Sequence, residues 1–412
     1  MNINLTTFVI NIFFIMNKKK IFNDPLYGLV GFDHKIIYDI IDHPYFQRLR
    51  RIKQLGFADY IYPGATHSRF QHSLGALHLM KQSIETLRWK GVDISDEEYK
   101  AASIAILLHD TGHTPFSHTL EKVFFKESHE QLSLMIMQKL NEEWKGELDL
   151  AIKIFTGEYE RRFFHELISS QLDVDRLDYL NRDSYFTGVA EGVIGYDRII
   201  KMLNVVDDKL VVEEKALYSI EKFLVARKIM HWQVYLHKTV IVVDRMLSLI
   251  FDILLKNKTG KDFGLLPQMV KDMLAGDGLE RKLQYFKYFD DTDIVMAVKL
   301  LTKADNKVLR MLAKGILDRK LLKIVVKNEK PGSDYLEMIR HKVETECSYE
   351  KEIIDMLIFT GCEHNDVYSA IESEDIHILT KGGEVKSLTA YLPSLNDNLK
   401  SVKYFVIYPK CS

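Results

Sequence analysis

Residues 101–121 read AASIAILLHDTGHTPFSHTLE and join an uncharged apolar run to a cluster of histidines. The run up to Leu108 predicts a buried helix, which ends in the pair His109-Asp110 and can stop at Gly112. Such a helix places an imidazole and a carboxylate in the protein interior. An unpaired buried aspartate is costly, and a bound cation is one way to avoid that cost. A hydrogen-bonded His-Asp pair without a metal is the alternative, and this doublet alone does not decide between the two.

Other segments supply groups that could join this pair. His72 begins an apolar helix, and residues 164–182 are predicted as a third helix that carries Asp175. Asp175, Tyr179 and Asp183 recur at four-residue steps and therefore share one stripe, which predicts a polar cavity wall. Histidine combined with carboxylate suits Mn, Fe, Zn, Co or Ni, whereas Mg prefers oxygen ligands.

The composition is that of a globular protein with a sizeable core. The chain has 412 residues, of which 47% are hydrophobic and 28% charged, and its net charge is −2. These values exclude a disordered or low-complexity chain and give no basic excess for binding duplex nucleic acid. Three sparse cysteines, Cys347, Cys362 and Cys411, argue against a disulfide scaffold and indicate a reducing, cytoplasmic location.

Three regions are expected along the chain. Residues 1–19 form an N-terminal tail whose apolar part is too short to span a bilayer. Met16, which precedes three lysines, is an alternative start, and a membrane-touching segment is the other reading of this tail. Residues 20–328 read as a mainly α-helical body, and residues 329–412 as a smaller α+β region. The predicted fold class is therefore mainly α.

Short strands are predicted at a few places in this helical pattern. Residues 205–212 are expected to form a hairpin, as are residues 376–391 around the turn Gly382-Gly383. Residues 402–408 read as a last strand. The stretch from Lys330 to Ser333 is the predicted boundary of the C-terminal region.

The motifs form one ordered pattern, H…HD…D, from His72 through His109-Asp110 to Asp175. The accompanying segments, in chain order, are NDP at 23–25, FQRLR at 46–50, IKQLG at 52–56, PGA at 63–65, RFQHSLG at 69–75, DVDRLDY at 173–179 and YLHK at 235–238. Over about residues 20–250 this pattern resembles the HD-domain deoxynucleoside triphosphate triphosphohydrolases, the family of the vertebrate sterile-alpha-motif/HD-domain enzyme and its bacterial relatives.

The resemblance implies an enzyme that hydrolyses a deoxynucleoside triphosphate to a deoxynucleoside and inorganic triphosphate. One divalent metal (Mn, Fe, Zn, Ni or Mg) would be held by His72, His109, Asp110 and Asp175. His118 and His129 match the family's catalytic histidines, and Glu121 stands where the vertebrate enzyme has an aspartate. A helix cap after Ser117 is the alternative reading of His118.

The resemblance also implies the groups that bind substrate. Positively charged or imidazole side chains match the phosphate positions: Arg69, His113, Arg176 and Arg227. A second set matches the sugar pocket and its exclusion of a ribose 2′-hydroxyl: Gln54, Leu55, Tyr179, Asp183 and Tyr235. A surface salt bridge is the alternative reading of Arg227, and ordinary core packing that of Leu55 and Tyr235.

A third implied site is allosteric and lies at a subunit interface in the vertebrate enzyme. Lys20, Asp42, Gln47 and Arg50 match it, which implies a GTP or dNTP activator and a homodimer or homotetramer. The alternative is that residues 46–50 are simply one face of an amphipathic helix. Neither stable duplex nucleic-acid binding nor a membrane partner is expected.

Two other functions fit the same residues. One is an HD phosphohydrolase acting on nucleoside monophosphates or nucleic acid, which would keep the metal site and change the substrate. The other is a nucleotide sensor of low turnover. The arginines matched to triphosphate argue against the monophosphate reading, and the complete set of catalytic motifs argues against the sensor.

Overall fold

A computed structural model of the protein describes residues 20–275, 278–347, 349–366, 375–391 and 400–410. The expected tail 1–19 and Cys411 lie outside the described residues. The predicted fold class is confirmed, because a large helical body is followed by a smaller α+β part. The α-helices are α1 Lys35–Asp42, α2 Pro44–Gln47, α3 Arg69–Trp89, α4 Asp96–Leu108, α5 Glu121–Phe124, α6 His129–Glu143, α7 Asp149–Thr156, α8 Phe163–Ile168, α9 Val174–Thr187, α10 Tyr196–Lys201, α11 Leu217–Met230, α12 Lys238–Lys256, α13 Lys261–Gly264, α14 Gln268–Leu274, α15 Leu279–Phe286, α16 Asp291–Leu301, α17 Lys307–Leu317, α18 Ser333–Glu346, α19 Lys351–Leu357 and α20 Leu388–Tyr391.

Short turns and strands connect these helices. The 3-10 turns are Arg48–Arg51, Gly56–Tyr60, Ser117–Thr119, Ala190–Gly192 and Glu214–Ala216, and a π-helical turn spans His231–Tyr235. The strands are β1 Phe22–Asp24, β2 Gly28–Val30, β3 Leu203–Val206, β4 Lys209–Glu213, β5 Lys323–Lys327, β6 Phe359–Asp366, β7 His377–Leu379, β8 Val385–Ser387 and β9 Lys400–Tyr408.

The buried helix predicted before His109 is present as the second half of α4. Ser95 caps the helix, its hydroxyl accepting from the backbone N–H of Glu98, while Glu98 accepts from the N–H of Ser95 at 2.8 Å. Residues 101–108 are all buried because they carry no charge that needs solvent. The helix packs against α3, so the ends of α3 and α4 that carry His72 and His109 lie together.

The prediction of a single helix over residues 164–182 is wrong, because the structure contains two helices there, α8 and α9. The helical conformation is interrupted at residues 169–173. Asp173 then caps α9, because its side chain accepts a hydrogen bond from the backbone N–H of Arg176 at 2.7 Å. An aspartate in this position competes with the helical backbone for hydrogen bonds and starts a new helix. The helix α9 ends at Gly188, whose φ of 74° is left-handed.

The strands form three sheets among the described residues. Both predicted hairpins are confirmed, as the antiparallel pairs β3–β4 and β7–β8, and β9 contains the predicted last strand. The strand β4 also pairs in parallel with β7, and β5 pairs with β9, which in turn pairs with β6. Strands from both sides of the expected division at residue 328 therefore share sheets, and the division itself stays a prediction.

Two further observations concern the surroundings of the protein. Cys362 is a free, exposed thiol and Cys347 is disulfide-bonded, and the expected absence of a disulfide scaffold stays a prediction. Within the described part of the chain, no helix combines the length and apolar character needed to cross a membrane.

Candidate metal centre and active site

Three of the four expected metal ligands converge from three different helices. His72, His109 and Asp175 each place a ligand atom within 4.8 Å of the others. Asp175 Oδ1 lies 3.0 Å from His72 Nε2 and 3.5 Å from His109 Nε2. The Nδ1–H of His109 donates to the carbonyl of Ile106 at 2.6 Å, so the lone pair of the neutral ring is on Nε2. That Nε2 is buried and makes no hydrogen bond, which fits a divalent cation among these three side chains.

Asp110, the fourth expected ligand, contacts His109 of the metal set and also two residues outside it, His113 and Arg69. Its Oδ1 lies 3.4 Å from His109 Nε2 and 3.1 Å from His113 Nε2, while its Oδ2 accepts from Arg69 Nη1 at 2.5 Å. Burial alone would raise the pKa of Asp110, but the Arg69 guanidinium outweighs it and holds that pKa well below its usual range. Asp110 therefore stays ionised and connects the metal position to the cationic side of the cavity.

The protein surrounds His72 with negative charge. Burial lowers the pKa of His72, but its hydrogen bonds to Asp175 and Asp178 prevail and raise it to about 10. The pKa of Asp175 is correspondingly far below its usual range, since His109 and His72 outweigh the effect of burial. Carboxylates that stabilise a positively charged imidazole this strongly in the protein interior would equally attract a divalent cation.

Asp178 supports the metal position from the outside and is itself held by three groups. Arg182 donates to both of its oxygens at 2.9 Å, and the hydroxyl of Tyr27 donates to Oδ1 at 2.8 Å. Gly75 is required beside this pair, because a Cβ there would meet Asp178 Oδ1 at 2.0 Å and Arg182 Nη2 at 2.2 Å. Asp178 and Arg182 are four residues apart on α9, and Asp178 also contacts His72 Nδ1 at 2.8 Å.

The expected catalytic side chains form a second cluster beside the first. Glu121 Oε2 lies 3.1 Å from His129 Nδ1 and 3.4 Å from His118 Nδ1. Burial would raise the pKa of Glu121, but hydrogen bonds from both histidines keep it well below its usual range. The glutamate thus reaches both rings despite its extra methylene. His118 is 71% exposed, and the short helix after it has no side-chain cap, so the helix-cap reading finds no support.

The imidazole of His113 lies between the two clusters. Its ring stacks on that of His129 at a centroid distance of 4.1 Å, and its Nδ1 is buried without a partner. Burial and the neighbouring Arg69 hold the pKa of His113 well below its usual range. These surroundings favour the neutral form of the His113 imidazole, and its role as a phosphate ligand stays a prediction.

The three expected phosphate-binding arginines all line one cavity. The guanidinium of Arg69 donates to Ser117 Oγ at 3.0 and 2.8 Å as well as to Asp110. Arg176 pairs with Asp173, and its Nε is buried without a partner. Arg227 donates to Gln171 at 3.1 Å and is half-buried, so the surface-salt-bridge reading does not describe it.

The expected sugar-pocket residues lie in the same cavity. Tyr235 donates through its hydroxyl to Asp183 Oδ2 at 2.8 Å, and His67 Nε2 lies 2.7 Å from the other oxygen of Asp183. The ring of Tyr179 meets that of Tyr235 edge-on at 6.0 Å. Gln54 also lines the cavity, although its Oε1 is buried and has no partner. Leu55, the fifth residue, borders the same space.

This cavity has a volume of about 1080 Å³, which is large enough for a nucleoside triphosphate. Its wall contains members of the metal set, of the histidine cluster, of the arginines and of the sugar pocket. These groups are His109, Asp110, Asp175, His113, His118, His129, Arg69, Arg176, Arg227, Gln54, Leu55, Tyr179, Asp183 and Tyr235. His72 and Glu121 contact this wall from behind.

The four expected allosteric residues do not line the cavity. Lys20 and Asp42 form an ion pair with both side chains about half exposed. Gln47 donates to the carbonyl of Ile41 at 2.7 Å and accepts from Arg50 Nε at 2.9 Å, and the Arg50 guanidinium lies 3.6 Å over the ring of Phe70. Phe46 and Leu49 point into the core, which agrees with the amphipathic reading, and the role of the four polar residues stays a prediction.

Sequence reasoning missed several residues that the fold brings to the cavity. His67, which contacts the cavity residue Asp183 at 2.7 Å, could have been found, because it lies in the same histidine-rich window as His72. Asp244 on α12 and Glu363 on β6 line the cavity itself, and no local motif distinguishes either of them. Glu363 comes from the C-terminal region and pairs with Arg245 at 3.2 Å, so that region contributes to the cavity wall.

The chain matches known families and proteins over most of its length. Residues 69–183 match the HD domain, and residues 194–275 match the HD-associated region. The chain is 30% identical over 413 residues to the uncharacterized protein YwfO of Bacillus subtilis, a match that covers 96% of this chain and 93% of that protein.

Two further relatives carry functional names. Human deoxynucleoside triphosphate triphosphohydrolase SAMHD1 is 32% identical over 274 residues, which cover 56% of this chain and 44% of that protein. A crystal structure of a phosphohydrolase from Bacteroides thetaiotaomicron is similar with a TM-score of 0.88 and 40% identity, and the match covers 95% of this chain and 100% of that chain.

Proposed function

Because this chain belongs to the HD-domain phosphohydrolases, we propose that it is a deoxynucleoside triphosphate triphosphohydrolase. The reaction would add water across the bond between the α-phosphorus and the 5′ oxygen. The products would be a deoxynucleoside, which takes a proton on the 5′ oxygen, and inorganic triphosphate.

One observation carries this proposal: a single cavity contains groups suited to a metal, a triphosphate and a sugar. His109 and Asp175 lie on the wall that also carries Arg69, Arg176 and Arg227. Three guanidinium groups exceed what one phosphate needs and suit the dense charge of a triphosphate. This count argues against nucleoside monophosphates as the substrate.

The metal-binding role falls to His72, His109, Asp110 and Asp175. A divalent cation bound there would supply Lewis-acid chemistry for the hydrolysis. Arg69 bridges Asp110 and Ser117, so a phosphate oxygen beside Asp110 would meet a guanidinium already held in place. The ionised carboxylate of Asp110 at the metal position is therefore paired with the guanidinium of Arg69, which is positioned to bind phosphate.

Proton delivery to the 5′ oxygen is assigned to His118. Its Nδ1 faces Glu121 Oε2 at 3.4 Å, so Nε2 on the far side of the ring is the atom that can donate. His129 faces the same carboxylate oxygen at 3.1 Å and stacks on His113. Glu121 thus orients both rings, while His129 and His113 confine the position of His118.

The preference for deoxyribose is assigned to Leu55 and Tyr235. A ribose 2′-hydroxyl beside these side chains would be crowded or left without a hydrogen-bond partner, which is costly in a buried site. The hydrogen bond from Tyr235 to Asp183 fixes the Tyr235 ring in the cavity wall. We extend the proposal to activation by GTP or a dNTP at Lys20, Asp42, Gln47 and Arg50, in a dimer or tetramer.

Product analysis tests the proposal. The purified protein is incubated with each dNTP and with GTP, alone and in mixtures, with Mn²⁺ or Mg²⁺. We expect a deoxynucleoside and inorganic triphosphate, and activity that appears only in mixtures would support activation. His109→Ala should abolish both metal binding and turnover while the helical content is retained.

Other products would contradict the proposal. Release of orthophosphate or of a nucleoside monophosphate would indicate a different HD phosphohydrolase. Absence of turnover with every metal and mixture would favour the low-turnover sensor. Full activity of His109→Ala would remove the metal-dependent mechanism.

A further inference from the structure

Asp291 lies far from the motif region in the chain but reaches the wall of the active-site cavity. It occupies the first turn of α16 and is only 6% exposed. Its carboxylate accepts two backbone hydrogen bonds, from the N–H of Phe116 to Oδ1 at 2.8 Å and from the N–H of Lys53 to Oδ2 at 2.9 Å. One side chain thus joins two loops that are separated by more than sixty residues in the sequence.

The two loops carry different parts of the proposed site. Lys53 directly precedes Gln54 and Leu55, which lie on the sugar side of the cavity. Phe116 lies between His113 and His118, on the side of phosphate binding and proton delivery. A carboxylate that belongs to neither side therefore contacts both.

The loop at Phe116 needs an external support. Phe116 and Ser117 have φ values of 54° and 52°, a left-handed conformation that side chains other than glycine adopt at a cost. Such a conformation persists only where its surroundings impose it. The hydrogen bond from Phe116 to Asp291 is one such constraint, and the stacking of the Phe116 ring on Phe57 at 4.3 Å is another.

A second contact links residues 289–291 to the loop from His113 to His118. The fully buried Arg48 donates to the carbonyl of Phe289 at 2.5 Å and to that of His113 at 2.8 Å. Residues 289–291 thus hold the loop at two points, at Phe116 directly through Asp291 and at His113 indirectly through Arg48.

We propose that Asp291 is a positioning residue of the active site, which sets the spacing between the Gln54–Leu55 segment and the loop from His113 to His118. The catalytic part of this inference rests on the proposed function, whereas the link between the loops does not. Loss of the Asp291 carboxylate would displace the Gln54–Leu55 segment relative to the proton donor. Such a displacement slows catalysis and weakens selection of the sugar.

Asp291→Asn tests the proposal, with Asp293→Asn as the matched control. Asparagine keeps the shape of the side chain but provides only one acceptor oxygen for the two amides. Asp293 lies in the same helical turn and accepts only from the N–H of Asp290, at 3.0 Å, so its variant controls for a general weakening of this helix start.

Two measurements are needed. Hydrogen–deuterium exchange of the segments around Lys53 and Phe116 reports the link, and we expect at least ~10-fold faster exchange only in Asp291→Asn. With dNTP and the matching ribonucleotide, we expect kcat to fall by ~10-fold or more together with the deoxy-to-ribo ratio, in a variant that circular dichroism shows to be folded at the assay temperature.

The two arms separate the possible failures. Unchanged exchange in Asp291→Asn would overturn the link itself, whether or not the protein hydrolyses dNTPs. If Asp291→Asn exchanges faster but has the same kcat and the same deoxy-to-ribo ratio as Asp293→Asn, the positioning role is overturned. A wild-type protein without dNTP turnover would contradict the proposed function, and exchange alone would then decide the link.

Discussion

Asp178 accepts the Nδ1–H of His72 at 2.8 Å and thereby turns Nε2 of the same ring toward Asp175. A carboxylate behind a metal-ligating histidine fixes its tautomer and raises its basicity. Both side chains are almost completely buried, so solvent cannot replace this contact. Asp178, which is not itself an expected ligand, therefore sets the orientation of the His72 ring in the candidate metal centre.

Asp178→Asn should weaken metal binding by about 10- to 100-fold, because His72 loses its charged partner. The variant should also lose about 1–3 kcal/mol of unfolding free energy, because the buried Arg182 loses its charged partner Asp178 and keeps only its ion pair with Asp24. Calorimetric titration with Mn²⁺ and denaturant unfolding measure the two effects. Asp39→Asn on the exposed face of α1 is the control, and equal affinities for the two variants would refute the role of Asp178.

His118→Ala should reduce kcat by about 10²- to 10⁴-fold through loss of proton donation, while the metal content stays at the wild-type level. The retained metal is the informative part, because His118 lies in the second cluster and not among His72, His109 and Asp175. Metal analysis and steady-state kinetics provide the comparison. His341→Ala, an exposed residue of α18, controls for removal of an imidazole, and loss of metal from His118→Ala would contradict the assignment.

Leu55→Ala should lower the preference for deoxynucleotides by about 10-fold or more, because it opens space for a ribose 2′-hydroxyl. The measurement is the ratio of kcat/KM for a dNTP to that for the matching ribonucleotide. Tyr235→Phe is the companion variant, since it removes the hydrogen bond to Asp183 and keeps the ring. An unchanged ratio in Leu55→Ala would place the selection of the sugar elsewhere.

Asp244 should make the stability of the protein depend on pH. Burial raises the pKa of Asp244 to about 7, although Thr119 and Arg245 act in the opposite direction. An aspartate in the unfolded chain titrates at about 3.9. The native state therefore holds a proton that the unfolded chain releases, so the free energy of unfolding falls as pH rises from about 4 to about 7, and levels off above that.

Asp244→Asn lacks this ionisation, so its melting temperature relative to wild type should rise steadily between pH 5 and pH 7. Thermal unfolding at several pH values measures the difference. Asp252→Asn, an exposed residue on the same helix, should give an offset that does not change with pH. A constant offset for Asp244→Asn as well would show that the carboxylate is ionised throughout.

Local patterns were sufficient for much of the fold and for one polar wall of the cavity. The uncharged run before His109 predicted the buried half of α4, and turn residues predicted the hairpins β3–β4 and β7–β8. The four-residue spacing of Asp175, Tyr179 and Asp183 correctly predicted a shared wall. These predictions succeed because helical and strand periodicities are properties of neighbouring residues.

The sequence by itself therefore determined which residue types are available for metal binding and hydrolysis, and on which elements they lie. Only the tertiary structure decided which of them meet: Asp178 behind His72, Glu363 at the cavity, and Asp291 beneath Phe116. A lone aspartate or glutamate in the sequence is indistinguishable from a solvated surface charge. It acquires a role only when packing removes water from it and leaves particular N–H donors as its partners.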